Sequence, residues 1–326
     1  MKPQVWFMCN NPRVRSQWLS TVFPPPAHPK RYNSFARSEY RPLDVVEDAG
    51  IKTFREGYFT PERPVLLSRR SFCDIPAYER WFFHSSAKPN TSRLNNEYLA
   101  AHGADAVVPL ELTQSQSQNS ESKDSENGLN LSFRKFHAPL SLFLQWIHEA
   151  ESPSQAQSHL YLAQCQLLDL PQVLRDDFPT PTIVAEAGKG DVYDTNVWIG
   201  YPPTYTPLHR DPNPNLFVQL AGRKTVRLLA PRDGQVVFSH VRGQIGRSGS
   251  REAAAFRGEE MMQGRERALL EQAVWNDVEN KQLGRACERF EAELEEGDGL
   301  FIPKGWWHSI KGVGESVTAS VNWWFR

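Results

Sequence analysis

The sequence predicts a mainly β fold with flanking helices (α+β), built as a double-stranded β-helix of the jelly-roll kind. Three observations predict it. Two strand-rich blocks alternate apolar and polar residues, a charged helical stretch separates them, and His209 and Asp211 in the first block are answered ninety-nine residues after His209 by His308 in the second. Closure of the strands is what brings such distant side chains to one place.

The elements follow in chain order. Residues 1–38 form a basic, irregular N-terminal segment, with Lys2, Arg13, Arg15, Lys30, Arg31 and Arg37 but no acid before Glu39. This composition leaves open a transit peptide for mitochondrial import against a plain basic tail, and Pro24-Pro25-Pro26 weakens any amphipathic helix there. Residues 39–326 are expected to form one domain. Pro64 to Leu67 reads as a strand, and the aromatic stretch that ends in Trp81, Phe82 and Phe83 reads as packing beneath a sheet. Residues 113–132 are rich in Gln, Ser and Asn, with Leu129 and Leu131 as the strongly apolar residues, and are expected to be a disordered solvent loop. A helix is expected to begin at Pro139, at the first-turn position that proline tolerates, and to buttress the barrel.

Residues 206–221 read as a turn and then a strand, closed by Ala221-Gly222 and followed by a second strand from Thr225 to Leu229. An insert at about 248–287 is highly charged, with Leu269, Leu270, Ala273 and Val274 at helical spacing, and predicts one or two amphipathic helices. Beyond it, Phe290, Ala292 and Leu294 alternate with Glu291, Glu293 and Glu295 in a strand that leads into the Gly297-Asp298-Gly299 turn.

Composition bounds the function classes. With 326 residues and 40% hydrophobic content the chain can bury a large core. Its 37 basic and 38 acidic side chains give a net charge of −1, so no global field draws it to nucleic acid. The four cysteines Cys9, Cys73, Cys165 and Cys287 form no C-x-x-C pair, against a zinc finger and for a reducing compartment. No apolar run is long enough for a membrane span. The expected location is intracellular, in cytoplasm or nucleus, with the mitochondrion left open by the N-terminus. The chain stops just past the strand that bears Asn322, which favours a monomer.

The chemistry-bearing residues are His209, Asp211 and His308. Two neutral imidazoles and one carboxylate on one face of an octahedral ion leave the opposite face open, the pattern of non-haem Fe(II) oxygenases. Residues i and i+2 of an extended segment project to one side, so His209 and Asp211 can share an ion while Arg210 points away. His-x-Asp alone also arises by chance, so the surroundings decide. Thr206-Pro207-Leu208-His209-Arg210-Asp211 through Arg223-Lys224, and Glu296-Gly297-Asp298-Gly299 through Pro303-Lys304-Gly305-Trp306-Trp307-His308, resemble the JmjC family of cupin-like Fe(II)/2-oxoglutarate oxygenases. The likeness reaches upstream to Tyr161-Leu162-Ala163-Gln164 and downstream to Ser320-Val321-Asn322-Trp323-Trp324, and is greatest to small hydroxylases with little beyond the catalytic domain.

The resemblance implies Fe(II) on His209, Asp211 and His308, 2-oxoglutarate as cosubstrate, and O2. A dicarboxylate needs a buried cation; Lys224, just after a turn, occupies the family's 2-oxoglutarate lysine position, although a lysine after a turn is usually solvated. Thr206 and Tyr161 fall where hydroxyls bind the same carboxylate, and Asn215 and Asn322 match polar residues near the metal and the 1-carboxylate. Tyr161 beside Leu160 and Leu162 also fits a plain core position. Trp198 and Trp306 are candidates to wall the mouth of the site. The other seven histidines, His240 and His159 among them, lack ligand spacing. The activity implied is hydroxylation of a protein side chain with release of succinate and CO2. Lysine demethylation, a modified-tRNA hydroxylase acting on RNA, a metal-dependent isomerase and a catalytically silent scaffold that binds a protein partner remain as alternatives.

Overall fold

Strands form here both where apolar and polar residues alternate, as in Phe290 to Leu294, and in buried apolar runs such as Leu300 to Ile302, and their pairing determines which distant residues meet. The structure is a computed structural model that describes residues 40–47, 50–68, 71–115, 131–150, 158–251, 253–254, 258, 261–276 and 288–326. Ser38–Arg326 forms one compact unit. The basic segment 1–38, the middle of the tract 113–132 and parts of the insert 248–287 lie outside the described residues.

In chain order the strands are β1 (Arg41–Pro42), β2 (Val45–Val46), β3 (Val65–Leu67), β4 (Phe82–His84), β5 (Ser92–Leu94), β6 (Val107–Ser115), β7 (Leu131–Pro139), β8 (Ser158–Gln166), β9 (Val192–Gly200), β10 (Thr204–Arg210), β11 (Asn215–Ala221), β12 (Arg223–Leu229), β13 (Arg289–Leu294), β14 (Gly299–Ile302), β15 (Trp307–Val313) and β16 (Thr318–Phe325). One sheet has the order β1-β13-β12-β15-β10, and a larger one the order β2-β3-β14-β11-β16-β9-β8-β6-β7. The run β9 to β16 is shared equally between them, β9, β11, β14 and β16 in the larger and β10, β12, β13 and β15 in the smaller. That is the double-stranded β-helix expected of the sequence.

Three apolar layers result. Phe217, Val226, Leu228, Ala292, Leu294, Leu300 and Ile302 fill the roll between the sheets. Outside the larger sheet, Leu216, Val218 and Leu220 join Leu110, Leu162, Val197 and Val321. The helix Leu140–Ala150 packs there through Leu140, Phe143, Leu144 and Ile147, one stripe of a 3.6-residue period. Outside the smaller sheet, Val237, Phe238 and Val241 of the helix Pro231–Gln244 and Leu270 and Val274 of the helix Gly264–Trp275 cover Leu208, Leu229 and Trp307. A buried ion pair, Arg242 to Glu266 at 2.7 Å, ties these two helices together.

Several expectations need correction. Helix between the two strand blocks begins at Pro231 rather than near 248, with proline at its start. Pro139 ends β7, and the buttressing helix starts at Leu140. The tract 113–132 is strand at both ends: Thr113, Gln114 and Ser115 pair with Phe133, Ser132 and Leu131. Thr113 and Gln114 also pair with His159 and Ser158 of β8, so ladder hydrogen bonds on both sides order polar residues that burial alone would not. Trp81 and Phe82 are buried as expected, but Phe83 is 53% exposed because alternation along β4 turns it outward.

Behind the turn between β11 and β12 lies a polar cluster. Glu296 accepts from the Gly222 amide at 3.0 Å and from the Ser92 hydroxyl, and faces His84 Nδ1 at 3.2 Å. His84 Nε2 lies 2.7 Å from the Tyr78 carbonyl. Both ring nitrogens thus face acceptors, an arrangement that suits the imidazolium. Burial works against both charges, yet the hydrogen bonds prevail: those from His84, Ser92 and Gly222 hold the Glu296 carboxyl below its ordinary value, and those to Glu296 and Tyr78 raise His84. Gly222 has φ +62°, and a Cβ there would lie 2.4 Å from the Val317 carbonyl oxygen.

Two outcomes follow. Gly222→Ala should destabilise the fold by about 1–3 kcal/mol, the usual cost of a left-handed non-glycine residue, read as a lowered denaturation midpoint. For the cluster, the raised His84 stabilises fully below its ordinary 6.5 and less as pH rises through its folded value; the lowered Glu296 stabilises fully above its ordinary 4.5 and less as pH falls through its folded value. Its contribution should therefore be greatest between those limits. His84→Ala should flatten the fall in Tm on the alkaline side, and an unchanged slope in that variant would refute the assignment.

Candidate active site

The pairing of β10 with β15 builds the centre of the site. His209 stands directly opposite His308 in that antiparallel register, with ring centroids 4.2 Å apart. Residues paired across antiparallel strands share a face, so both imidazoles enter the same cavity. The register slips between Thr206 and His209. Pro207, with no N–H to give the ladder, lies at the slip. The extra residue inverts the alternation, so Thr206 and His209, three positions apart, both line the cavity. Each ring is oriented by backbone: His209 Nδ1 lies 2.9 Å from the Pro207 carbonyl and His308 Nδ1 3.3 Å from that of Trp306. Both Nε2 atoms then turn toward Asp211, 4.0 Å from Oδ1 for His209 and 3.7 Å from Oδ2 for His308.

Asp211 sits just past the end of β10 and is 7% exposed. Its Oδ2 accepts from Asn215 Nδ2 at 2.9 Å and from Trp324 Nε1 at 3.0 Å. Burial, with His209 alongside, pushes His308 down to about 4, which keeps its imidazole neutral and able to bind a metal. Arg210 also lines the cavity, but its guanidinium lies 5.7 Å from the centre of the Trp307 ring and donates to the Arg251 carbonyl.

Lys224, second residue of β12, is 2% exposed. Its Nζ donates to Ser320 Oγ at 2.6 Å and lies 3.4 Å from the Tyr161 hydroxyl. Hydroxyls do not neutralise an ammonium, and burial pushes Lys224 down to about 7. Tyr161, raised above its ordinary value by burial and by Glu111, is held as a neutral phenol. It faces Gly200 across the β8–β9 pair, where a Cβ would fall 2.4 Å from its ring. Asn322 accepts from the Trp198 indole at 2.8 Å, while its Nδ2 is buried without a hydrogen-bond partner.

All eight residues singled out from the sequence, His209, Asp211, His308, Lys224, Thr206, Tyr161, Asn215 and Asn322, line one cavity of about 330 Å³. Among the described residues, His209, Asp211 and His308 are the cluster able to hold a metal, with ligand atoms within 4.8 Å of one another. The donor set suits Fe(II). A dicarboxylate suits the rest, since a buried ammonium with only hydroxyl partners and an orphaned amide N–H both seek an anion. Trp198 lines the cavity, but Trp306 does not: it is buried against Phe290 and donates to the Glu62 carbonyl. His240 is exposed on the helix Pro231–Gln244 beside Gln244.

Sequence reasoning missed Ser320, Trp324 and Asn196. Ser320 and Trp324 lie two positions either side of Asn322, so the period of two along β16 would have found them. Asn196 pairs with Asn322 across β9 and β16, and its amide is buried without a partner; only the register reveals it.

Comparison with known proteins places these residues in context. The profile of the cupin-like domain family matches residues 51–326. Similar curated proteins include Lysine-specific demethylase JMJ30 of Arabidopsis thaliana, 26% identical over 84% of this chain and 52% of that protein. Lysine-specific demethylase 8 of Danio rerio is 32% identical over 50% of this chain and 36% of its own length. Jumonji C domain-containing protein 5 of Drosophila melanogaster is 24% identical over 86% of this chain and 59% of its own. The chain thus spans about half the length, or less, of these curated relatives. Among the described residues, no helix is long and apolar enough to cross a membrane.

The buried ammonium carries a measurable cost. Lys224→Met should raise the Tm of the ligand-free protein by about 2–4 °C, the response to roughly 1 kcal/mol in a chain of this size. A fall of similar size would show that the hydroxyl contacts outweigh the desolvation.

Proposed function

The chain belongs to the cupin-like JmjC family, and on that premise we propose that it is an Fe(II)- and 2-oxoglutarate-dependent oxygenase that hydroxylates a protein side chain. The observation that supports this most is the sharing of one cavity by His209, Asp211 and His308 with the buried Lys224. Fe(II), when bound, supplies oxygen activation coupled to the conversion of 2-oxoglutarate into succinate and CO2.

The side chains supply the rest. Backbone carbonyls engage the Nδ1 atoms of His209 and His308 and leave Nε2 of each ring to face the cavity, and burial keeps the His308 imidazole neutral. Lys224 would receive the far carboxylate of 2-oxoglutarate, with Tyr161 and Thr206 adding hydroxyls and Asn322 its free N–H near the 1-carboxylate. Asn215 is occupied with Asp211, so its part is to hold a ligand rather than to touch the cosubstrate. Trp198 anchors Asn322 and lines the cavity wall. The substrate would enter past Glu111, Lys135 and Gln164 on β6, β7 and β8.

Lysine demethylation is the second reading, favoured by relatives named as lysine-specific demethylases; hydroxylation of an N-methyl group requires the same residues. With no excess of basic side chains, the chain offers less to RNA. A silent scaffold would be expected to have lost a ligand, and His209, Asp211 and His308 are all present.

Fe(II) and 2-oxoglutarate mixed without oxygen should give a weak visible charge-transfer band, lost in His209→Ala and weakened in Lys224→Ala. No band at high cosubstrate would sink the oxygenase reading. Peptide and RNA extracts compared by mass, with and without active enzyme, distinguish gain of one oxygen from loss of a methyl group. Since Lys224 lies near 7 and a bound carboxylate favours its charged form, 2-oxoglutarate binding should take up a proton above that pH. Calorimetry in buffers of different ionisation heat should show uptake that approaches one proton, and none in Lys224→Met.

A further inference from the structure

Asp211 offers a metal two oxygens, and the structure distinguishes them. Oδ2 already accepts from Asn215 Nδ2 at 2.9 Å and Trp324 Nε1 at 3.0 Å. A carboxylate oxygen has two lone pairs, so these donors engage both. Each oxygen also faces a histidine, Oδ1 His209 Nε2 at 4.0 Å and Oδ2 His308 Nε2 at 3.7 Å, so the two donors on Oδ2 are what distinguish the oxygens. The donors share an origin, since Asn215 and Trp324 are direct partners in the β11–β16 register of the larger sheet. Asp211 follows β10 of the smaller sheet. One carboxylate oxygen thus joins the two sheets at the metal-binding cluster.

Trp324 is itself held in place. The next residue, Phe325, donates its amide to the Pro214 carbonyl at 3.1 Å, in the loop between Asp211 and Asn215. Arg326 bonds Asp191 through backbone and guanidinium. The indole N–H therefore reaches the carboxylate from a strand end fastened on both sides. Packing alone would not require that direction of the ring.

Resting on the metal-dependent reading above, we propose that Trp324 is a positioning residue for the metal: with Asn215 it saturates Oδ2, so that Oδ1 is the ligating atom and Asp211 binds through one oxygen. Loss of the N–H would free the carboxylate to rotate and weaken metal binding, with the cosubstrate pocket around Lys224 left intact.

The test is titration of the full-length metal-free protein with Co(II), followed by its visible ligand-field spectrum and without 2-oxoglutarate. Trp324→Phe, which keeps a ring but loses the donor, should weaken Co(II) about 10–100-fold, the usual effect of removing a group that orients a ligand. At saturating metal, the KM for 2-oxoglutarate should stay within twofold of the parent. Trp324→Gln should recover part of the affinity, because its Nε2 lies as many bonds from Cβ as the indole nitrogen does. Co(II) affinity in Trp324→Phe within twofold of the parent would overturn the proposal while the parent's own binding leaves the family reading standing. A parent that binds neither Co(II) nor Fe(II) would overturn both. Should Trp324→Phe fail to fold, the parent, Trp324→Gln and Asn215→Ala decide: equal affinity in all three would overturn it.

Discussion

The antiparallel pairing of β10 with β15 is the constraint on which the rest of the site depends. It sets His209 directly against His308, two residues that the chain separates by the helices Pro231–Gln244 and Gly264–Trp275 and by four strands. A slip of one residue in that pairing would turn every later side chain of one strand to the opposite face. The β10–β15 pairing contains one such slip, at Pro207, and the site needs it: without it Thr206 and His209 would lie on opposite faces. An irregularity that weakens the ladder is therefore what assembles the cavity.

Buried polar groups carry the chemistry, at the expense of stability. Lys224, Asn196, Asn215, Gln219 and Asn322 are all buried. Their partners come from the opposing elements: Ser320 for Lys224, Thr318 for Gln219, Trp198 for Asn322. At the cavity, Lys224 has hydroxyls rather than an anion and the Asn322 amide lacks an acceptor. A site tuned to bind an anion is expected to hold such groups unsatisfied until the anion arrives.

The support behind the site is layered. The Gly222 turn that delivers Lys224 is braced from behind by Glu296, which His84 and Ser92 of the β4–β5 hairpin hold in turn. On the other side, the two helices over the smaller sheet seal Trp307 and Leu208, neighbours of His308 and His209. His84, Ser92 and Glu296 are far apart in sequence, and their association depends on where one hairpin packs.

Several features were legible in the sequence because they are local or periodic. The alternation in β13, the helical stripe of Leu140–Ala150, and the His209–Asp211 spacing are written in residues a few positions apart, where strand and helix geometry act directly. The resemblance around His209 and His308 added Lys224, Thr206, Tyr161, Asn215 and Asn322 as candidates, and the structure brings all of them to one cavity. What the sequence alone left undecided was register. The Pro207 slip, the Asn196–Asn322 and Asn215–Trp324 pairs, the strand character of Thr113–Ser115, and the choice between Trp198 and Trp306 as cavity wall follow from hydrogen bonds between strands remote in the chain. Side-chain type and spacing determine which residues can do the chemistry; only the tertiary pairing decides which of them face one another, because a strand's two faces differ by a single residue of register.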